Sequence, residues 1–482
     1  MKKQNRRDFL KAAAISTTML LVHGGPLSAQ KKRFKKPNIV FVFADQWRAQ
    51  ATEFFGDPNL KGKTPNLNKL TAQSVNLTNA VSTCPVCTPY RASLLTGQYS
   101  LTHGLFLNDA PLRNEAVTIA EVCKDAGYNT GYVGKWHINT GGRIAYIPAD
   151  RLQGFDNWKV LECTHKYNNS PYYEGNDPTK RFWKGYDAIA QTRDVQEYIS
   201  AHANDEKPFL MMLSWGPPHN PYQTAPEKYR KIFKAEDIIL RPNIPAEKAQ
   251  SAKNDLAGYY AHIAALDDCI GELVQTIERA GIADNTILVF TSDHGDMLGS
   301  QGERRKQRPW DEAVRVPFII RYPDRLGKKG KEIDMPIGSP DIMPTLLGLS
   351  GQKIPAGVEG TDYSAVLDGS VKVPDNVALI ECPSPFGEWL RKHGGKEYRG
   401  IRTKRYTYVR DLDGPWLLYD NQNDPYQQTN IVNDPKHAAL KAELDKKLMA
   451  KLSTHNDQFK SGWDYIKKWN YKPYPNGTMP YR

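Results

Sequence analysis

Asn38-Ile39-Val40-Phe41-Val42-Phe43-Ala44-Asp45-Gln46 is an apolar run of strand length that stops on two polar side chains. A strand without polar alternation suits the centre of a parallel sheet, where helices cover both faces. In open α/β sheets ligands bind at the carboxyl ends of the strands, so the same stretch puts Asp45 and Gln46 where chemistry is expected. Outward from it the pattern returns. Residues 129–134 run into Lys135-Trp136-His137, residues 209–215 into Pro217-Pro218-His219, and residues 286–291 into Ser292-Asp293-His294. A fifth candidate strand, 316–322, follows Lys306 and Trp310. Between these, residues 66–74, 117–127 and 256–280 have helical spacing, the last with Tyr259, Ile263, Leu266, Ile270, Leu273 and Ile277 on one stripe. Strands alternating with helices predict an α/β fold: a large, mostly parallel sheet between helices.

The character changes near residue 376. Residues 398–409 and 416–420 read as strands of a smaller antiparallel sheet, with Asp411-Leu412-Asp413-Gly414-Pro415 as a turn. Residues 437–453 read as a charged helix, and the aromatic end, 463–481, has too little periodicity to place. At the other end, Arg6-Arg7-Asp8-Phe9-Leu10, a short apolar run and Leu27-Ser28-Ala29 make an export leader of twin-arginine type. The expected organisation is a leader over 1–29, a catalytic domain over 30–375 and a C-terminal α+β subdomain over 376–482. The mature chain is expected in the periplasm or secreted, without a stable membrane anchor, since no cysteine lies near the cleavage point. The formal net charge of +12 suits a polyanionic partner. With no dense Lys/Arg tract and no nucleic-acid motif, a sulfated glycan fits better than nucleic acid.

Chemistry concentrates in Cys84-Pro85-Val86-Cys87-Thr88-Pro89-Tyr90-Arg91-Ala92-Ser93-Leu94-Leu95-Thr96-Gly97. A proline suited to a first turn and a stopping glycine predict a short helix with Cys87 at its N-terminal end, where unpaired N–H groups face an anion. Arg91 lies one turn on, on the same face. Cys84 and Cys87 also form a C-x-x-C, a redox pair or half a zinc site, but no second such pair follows. A buried structural thiol is the other plain reading. Asp45, Gln46, Asp293 and His294 offer two carboxylates, an amide oxygen and an imidazole, a set suited to Ca²⁺ or Mg²⁺. Taken singly, Asp45 would serve equally to cap a helix and His294 to satisfy a buried polar group.

Cys87-Thr88-Pro89-Tyr90-Arg91 followed by Leu95-Thr96-Gly97 resembles the C-x-P-x-R…T-G signature of the type I, formylglycine-dependent sulfatases, of the alkaline phosphatase superfamily. Tyr90 stands where that family usually has serine or alanine, and Gln46 where it usually has a second aspartate. Lys135-Trp136-His137 resembles its K-x-H motif, His219 its later histidine, Lys306 its second sulfate-binding lysine, and residues 402–425 its terminal subdomain. The resemblance implies an alkaline-phosphatase-like fold. It also implies that a maturation enzyme oxidises Cys87 to formylglycine, whose hydrated aldehyde attacks sulfur. The metal, Ca²⁺ with Mg²⁺ or Mn²⁺ as alternatives, would lie among Asp45, Gln46, Cys87, Asp293 and His294. Lys135 and Lys306 would neutralise the sulfate, with Lys135, His219 and Lys306 binding substrate. His219 would protonate the leaving oxygen, His137 would take the proton from the second hydroxyl, and Arg91 would hold the nucleophile's oxygen.

The substrate expected of such an exported enzyme is a sulfated polysaccharide or oligosaccharide, algal ulvan or carrageenan first and host glycosaminoglycans next. Residues 143–186, rich in aromatics and polar groups, suit either sugar rings or the packing of a long loop. A phosphonate monoester or phosphodiester hydrolase of the same superfamily is the nearest rival. An inactive sulfated-glycan-binding protein is the rival from another class.

Overall fold

The computed structural model describes residues 36–481. The leader expected over 1–29 lies outside the described residues. The run that opens the fold is strand β1 (Asn38–Asp45). Ten strands form the large sheet: β1, β2 (Val75–Ala80), β3 (Asn129–Lys135), β4 (Asn157–Leu161), β5 (Pro171–Glu174), β6 (Asp177–Phe182), β7 (Phe209–Pro218), β8 (Thr286–Ser292), β9 (Phe318–Arg321) and β10 (Lys331–Ile337). Their spatial order is β10-β2-β9-β8-β1-β7-β3-β4-β5-β6. The core, β8-β1-β7-β3-β4, is parallel throughout. Strands β9, β5 and β6 pair antiparallel, so the sheet is mixed but mostly parallel.

Strand β1 shows why an uninterrupted apolar run is needed. Successive side chains point to opposite faces. Ile39, Phe41 and Phe43 join one core with Leu94 and Leu95, whereas Val40, Val42 and Ala44 join the other with Ala261, Ile263 and Leu266. Both faces being covered, no position tolerates a polar side chain until the strand leaves the core at Asp45. Removing a fully buried ring such as Phe41 by substitution to alanine would cost about 3–5 kcal/mol.

The long helix Ala249–Arg279 carries the expected stripe and extends seven residues further toward the N-terminus than its apolar spacing predicts. The smaller sheet contains β11 (Ala378–Cys382), β12 (Tyr398–Arg402), β13 (Tyr406–Asp411) and β14 (Gly414–Asp420), antiparallel in that order. Helix Ala438–Thr454 packs on it through Leu444, Leu448 and Leu452. Of the aromatic end, Gly462–Lys468 is helical, and Tyr465 and Ile466 enter the same core as the Cys87 helix. No helix among the described residues is long and apolar enough to cross a membrane.

Candidate active site

The parallel core aligns the carboxyl ends of four strands. Asp45 ends β1, Lys135 ends β3, His219 follows β7 and Asp293 follows β8. Opposite them stands the helix Cys87–Thr96, all of whose residues are buried. Its N-cap, Val86, supplies no side-chain cap. Thr88 ties this start in place, its Oγ1 donating to the His137 carbonyl at 2.8 Å and its N–H to Asn108 Oδ1 at 3.2 Å. Gly97 ends the helix with φ +65° and a backbone so close to Val358 that a Cβ would meet its side chain at 2.8 Å. Only glycine meets both demands cheaply.

All the residues expected at the site come together here. Cys87 Sγ lies 3.3 Å from His294 Nε2, 3.3 Å from Lys306 Nζ and 3.7 Å from both Asp45 carboxylate oxygens. Lys135 Nζ reaches Asp45 Oδ2 at 2.5 Å. Arg91, stacked over Phe43, reaches Asp45 at 3.5 Å and Asp293 at 3.3 Å and donates to the Lys135 carbonyl and Ser214 Oγ. Lys306 sits on a loop pinned twice. Gln307 N–H donates to the Pro85 carbonyl at 3.2 Å, and the Gln307 side chain pairs with both backbone groups of Phe386, so the C-terminal part of the chain helps hold this lysine.

Two histidines have their tautomers set by backbone. His294 Nδ1 donates to the Gly295 carbonyl at 2.9 Å, turning Nε2 toward Cys87. His219 Nδ1 donates to the Asn220 carbonyl at 2.8 Å, which leaves Nε2 to accept from Lys306 Nζ at 3.2 Å. Burial and the charges of Lys306 and Lys135 hold His219 neutral, well below the ordinary histidine range. His165 stacks on it, ring centres 4.6 Å apart. Burial opposes a charge on Cys87 too, but Lys135, Lys306 and His294 outweigh it and hold the thiol well below its usual pKa. For Asp45 burial and the Cys87 thiolate push upward, yet Lys135 and Lys306 win. Asp293 is pushed up by burial and by Asp45 beside it. Two buried carboxylates that share a site and resist joint ionisation mark a place for added positive charge.

Asp45, Cys87, Asp293 and His294 present ligand atoms within 4.8 Å of one another. Gln46 lies beside them, its N–H on Asp293 Oδ1 at 2.9 Å and its Nε2 on Asp296 Oδ2 at 2.6 Å. Gln46 Oε1 is buried with no partner. Two carboxylates, an imidazole and an orphaned amide oxygen fit a hard divalent cation, with Cys87 Sγ standing where the oxygen of an oxidised side chain would lie.

Three contributors were not legible in the sequence. Asp109 Oδ1 is 2.9 Å from His137 Nε2, Ser214 Oγ accepts from Arg91, and Asp296 holds the Gln46 amide. Asp109 stands in no motif, while Ser214 and Asp296 lie in strand-end stretches that gave them no role of their own. The aromatic stretch 143–186 divides differently from its composition. Trp158, Tyr167, Tyr173 and Trp183 are buried packing residues, and His165 alone stacks on a site histidine.

An alkaline-phosphatase-like sheet with a buried cysteine, two lysines and an acid-rich ligand group at its edge defines a hydrolase of anionic esters. The chain belongs to the sulfatase family and is a sulfuric ester hydrolase: the family model named Sulfatase matches residues 37–352, and that of the N-sulphoglucosamine sulphohydrolase C-terminal region matches 299–454. An ulvan-active sulfatase of Formosa agariphila is 46% identical over 438 residues, 90% of this chain and 85% of its own. An endo-4-O-sulfatase of Bacteroides thetaiotaomicron is 29% identical, over 90% of this chain and 94% of its own. The solved structure of yidJ from Bacteroides fragilis superposes with a TM-score of 0.80 at 29% identity, covering 91% of this chain and 99% of that one. The family implies a formylglycine and a divalent metal, and the residues present fit both.

Proposed function

We propose that this sulfatase removes sulfate from a sulfated polysaccharide or its oligosaccharides, with ulvan as the first substrate to test and carrageenan fragments and glycosaminoglycans after it. The observation that carries the reading is Cys87 at a buried helix start with Lys306, His294 and Asp45 around its sulfur. The 46% identity to an ulvan-active relative supports the choice of glycan.

A maturation enzyme would oxidise Cys87 to formylglycine, whose hydrate supplies an oxygen nucleophile. A divalent cation, calcium first and Mg²⁺ or Mn²⁺ as alternatives, would be held by Asp45, Gln46, Asp293, His294 and side chain 87, and would supply positive charge to the sulfate oxygens. The other steps belong to the chain. Lys135 and Lys306 neutralise an ester whose negative charge repels nucleophiles. Arg91 fixes Asp45 and Asp293 against the strand ends and holds side chain 87 in place.

His219 Nε2 now accepts from Lys306. An arriving sulfate draws that lysine away and adds negative charge beside the imidazole, which favours the proton that His219 must hand to the leaving oxygen. His137 Nδ1, buried and without a partner, takes up the proton released as the nucleophile is restored. In the resting site His137 is pushed up to about 9, since burial and the Lys135 charge are overcome by the charge of Cys163 and the hydrogen bond to Asp109. Positive charge gained nearby lowers it toward a working base.

A leader over 1–29 would take the folded chain to the periplasm or beyond, with catalysis in 30–375 and the 376–482 subdomain supporting Lys306. Mass spectrometry of the peptide spanning Cys84 to Arg91, with sulfate release from ulvan oligosaccharides, tests the reading. Active protein with an unmodified thiol at 87, or faster cleavage of matched phosphate esters, would overturn it.

A further inference from the structure

The hydrogen-bond network behind His137 does not end in the core. Asp109 spends one carboxylate oxygen on His137 Nε2 at 2.9 Å and the other on Arg143 Nη2 at 3.3 Å. His137 and Asp109 each keep 2% side-chain exposure, whereas Arg143 keeps 39%, so the network surfaces at this guanidinium. Arg143 Nε donates to the Tyr481 hydroxyl at 2.5 Å, while Nη1 makes no hydrogen bond among the described residues.

The chain around Arg143 is fixed from three sides. The Arg143 carbonyl accepts from the Cys163 N–H at 2.8 Å, two residues before the His165 that stacks on His219. Met479 N–H donates to the Asn108 carbonyl at 3.1 Å, which docks the C-terminal segment on the loop that carries Asp109 and brings Tyr481 over Arg143. Ile144, Tyr146 and Tyr481 surface with it, and none of them carries a charge. One carboxylate is thus shared between a histidine ring and a guanidinium, and among the described residues Arg143 pairs with no carboxylate but Asp109. A planar cation held from behind, with a free edge toward solvent beside the catalytic histidines, is built to receive a second anion.

We propose that Arg143 is a second anion receptor: it binds a carboxylate or a further sulfate on the sugar chain next to the ester being cut, while Asp109 and Tyr481 hold its guanidinium in place. The proposal rests on the sulfatase reading of the site. It makes the enzyme selective for chains with neighbouring negative charges, and it gives the C-terminal segment a part in substrate choice.

Two substrate pairs test it in the mature enzyme. One is a sulfated oligosaccharide with an adjacent uronate and its carboxyl-reduced form; the other is a disulfated oligosaccharide and its monosulfated counterpart. A charge-assisted contact predicts that the wild type favours the more anionic member of one pair by about 10- to 100-fold in kcat/KM, expressed in KM. The pair that responds identifies the anion. Arg143→Met should bring that ratio close to one, and Arg143→Lys should restore part of it.

If neither pair is distinguished by the wild type, or if Arg143→Met keeps the preference, the receptor is refuted. Should Arg143→Met fail to fold, Tyr481→Phe removes a single hydroxyl from the guanidinium's support and should lower the ratio severalfold; an unchanged ratio refutes the proposal. Wild-type hydrolysis of 4-nitrophenyl sulfate, which has one anionic group, separates the two levels. Turnover of it without preference in either pair refutes the receptor alone. No turnover of any sulfate ester by protein oxidised at position 87 refutes the sulfatase reading and the receptor with it.

Discussion

Asp109 Oδ1 lies 2.9 Å from His137 Nε2, and this contact orients the ring. With Nε2 committed to the carboxylate, Nδ1 is the nitrogen left for chemistry, and it is the buried atom without a partner. Asp109→Ala would free the ring to turn and would leave a buried imidazole unsupported. The expected result is a fall in kcat of about 10- to 100-fold with little change in KM for a small aryl sulfate. Steady-state rates within twofold of the wild type would show that His137 needs no such orientation.

Gln46 stands where the family usually has an acid, and Asp296 supplies the reason. The glutamine amide places Nε2 on Asp296 Oδ2 and leaves Oε1 buried without a partner. Asp296 is crowded with donors already, from the Tyr222 hydroxyl and the N–H groups of Leu298 and Arg305. A glutamate at 46 would oppose it with like charge. Gln46→Glu should therefore lower the melting temperature, and Gln46→Glu with Asp296→Asn should recover most of the loss. Chelation should abolish sulfate release, and added Ca²⁺ should restore it. Gln46→Leu, which keeps the carboxylates and the imidazole, should need at least tenfold more Ca²⁺ for half-recovery; an unchanged requirement would remove Gln46 from the ligand set.

Lys306 is held 3.3 Å from Cys87 Sγ and 3.2 Å from His219 Nε2 by a loop that depends on the Gln307–Phe386 pair. Lys306→Ala removes one of two cations from a site where an anion must be neutralised, and a loss of about 10²- to 10³-fold in kcat/KM is expected. Gln307→Ala should reproduce part of that loss, roughly tenfold, without touching the substrate. If Gln307→Ala is fully active while Lys306→Ala is not, the C-terminal part of the chain does not position the lysine.

The strand ends were legible because β1, β3, β7 and β8 are buried on both faces, so their apolar runs stop where the site begins. Strand β2 was not legible: Asn76, Thr78 and Asn79 interrupt its apolar pattern, and it forms by pairing with β10 and β9. Residues 143–186 fold back as β4, β5 and β6, burying Trp158, Tyr167, Tyr173 and Trp183 among the rings that composition alone left open to sugar binding. Motif spacing exposed Cys87, Lys135 and His219, but Asp109 and Arg143 reach the site through long-range loops that carry no local pattern. The segment 463–481 offered no periodicity because it is held by contacts with distant residues, Met479 on Asn108 and Tyr481 on Arg143.

Asp187, the first residue of the helix Asp187–His202, gives a stability effect remote from the catalytic residues. It is 1% exposed, and its Oδ1 is buried without a partner. Burial, only partly offset by hydrogen bonds, raises its carboxyl from 3.8 to about 8. The folded state therefore keeps a proton that the unfolded chain gives up. The stability this contributes is complete below the unfolded pKa and is lost as pH rises toward the folded one, with a slope of at most about 1.4 kcal/mol per pH unit. Asp187→Asn fixes the neutral form at every pH. Its melting temperature should match the wild type near pH 4 and exceed it increasingly up to pH 8. Parallel curves across that range would mean that Asp187 ionises in the folded protein much as it does in the unfolded chain.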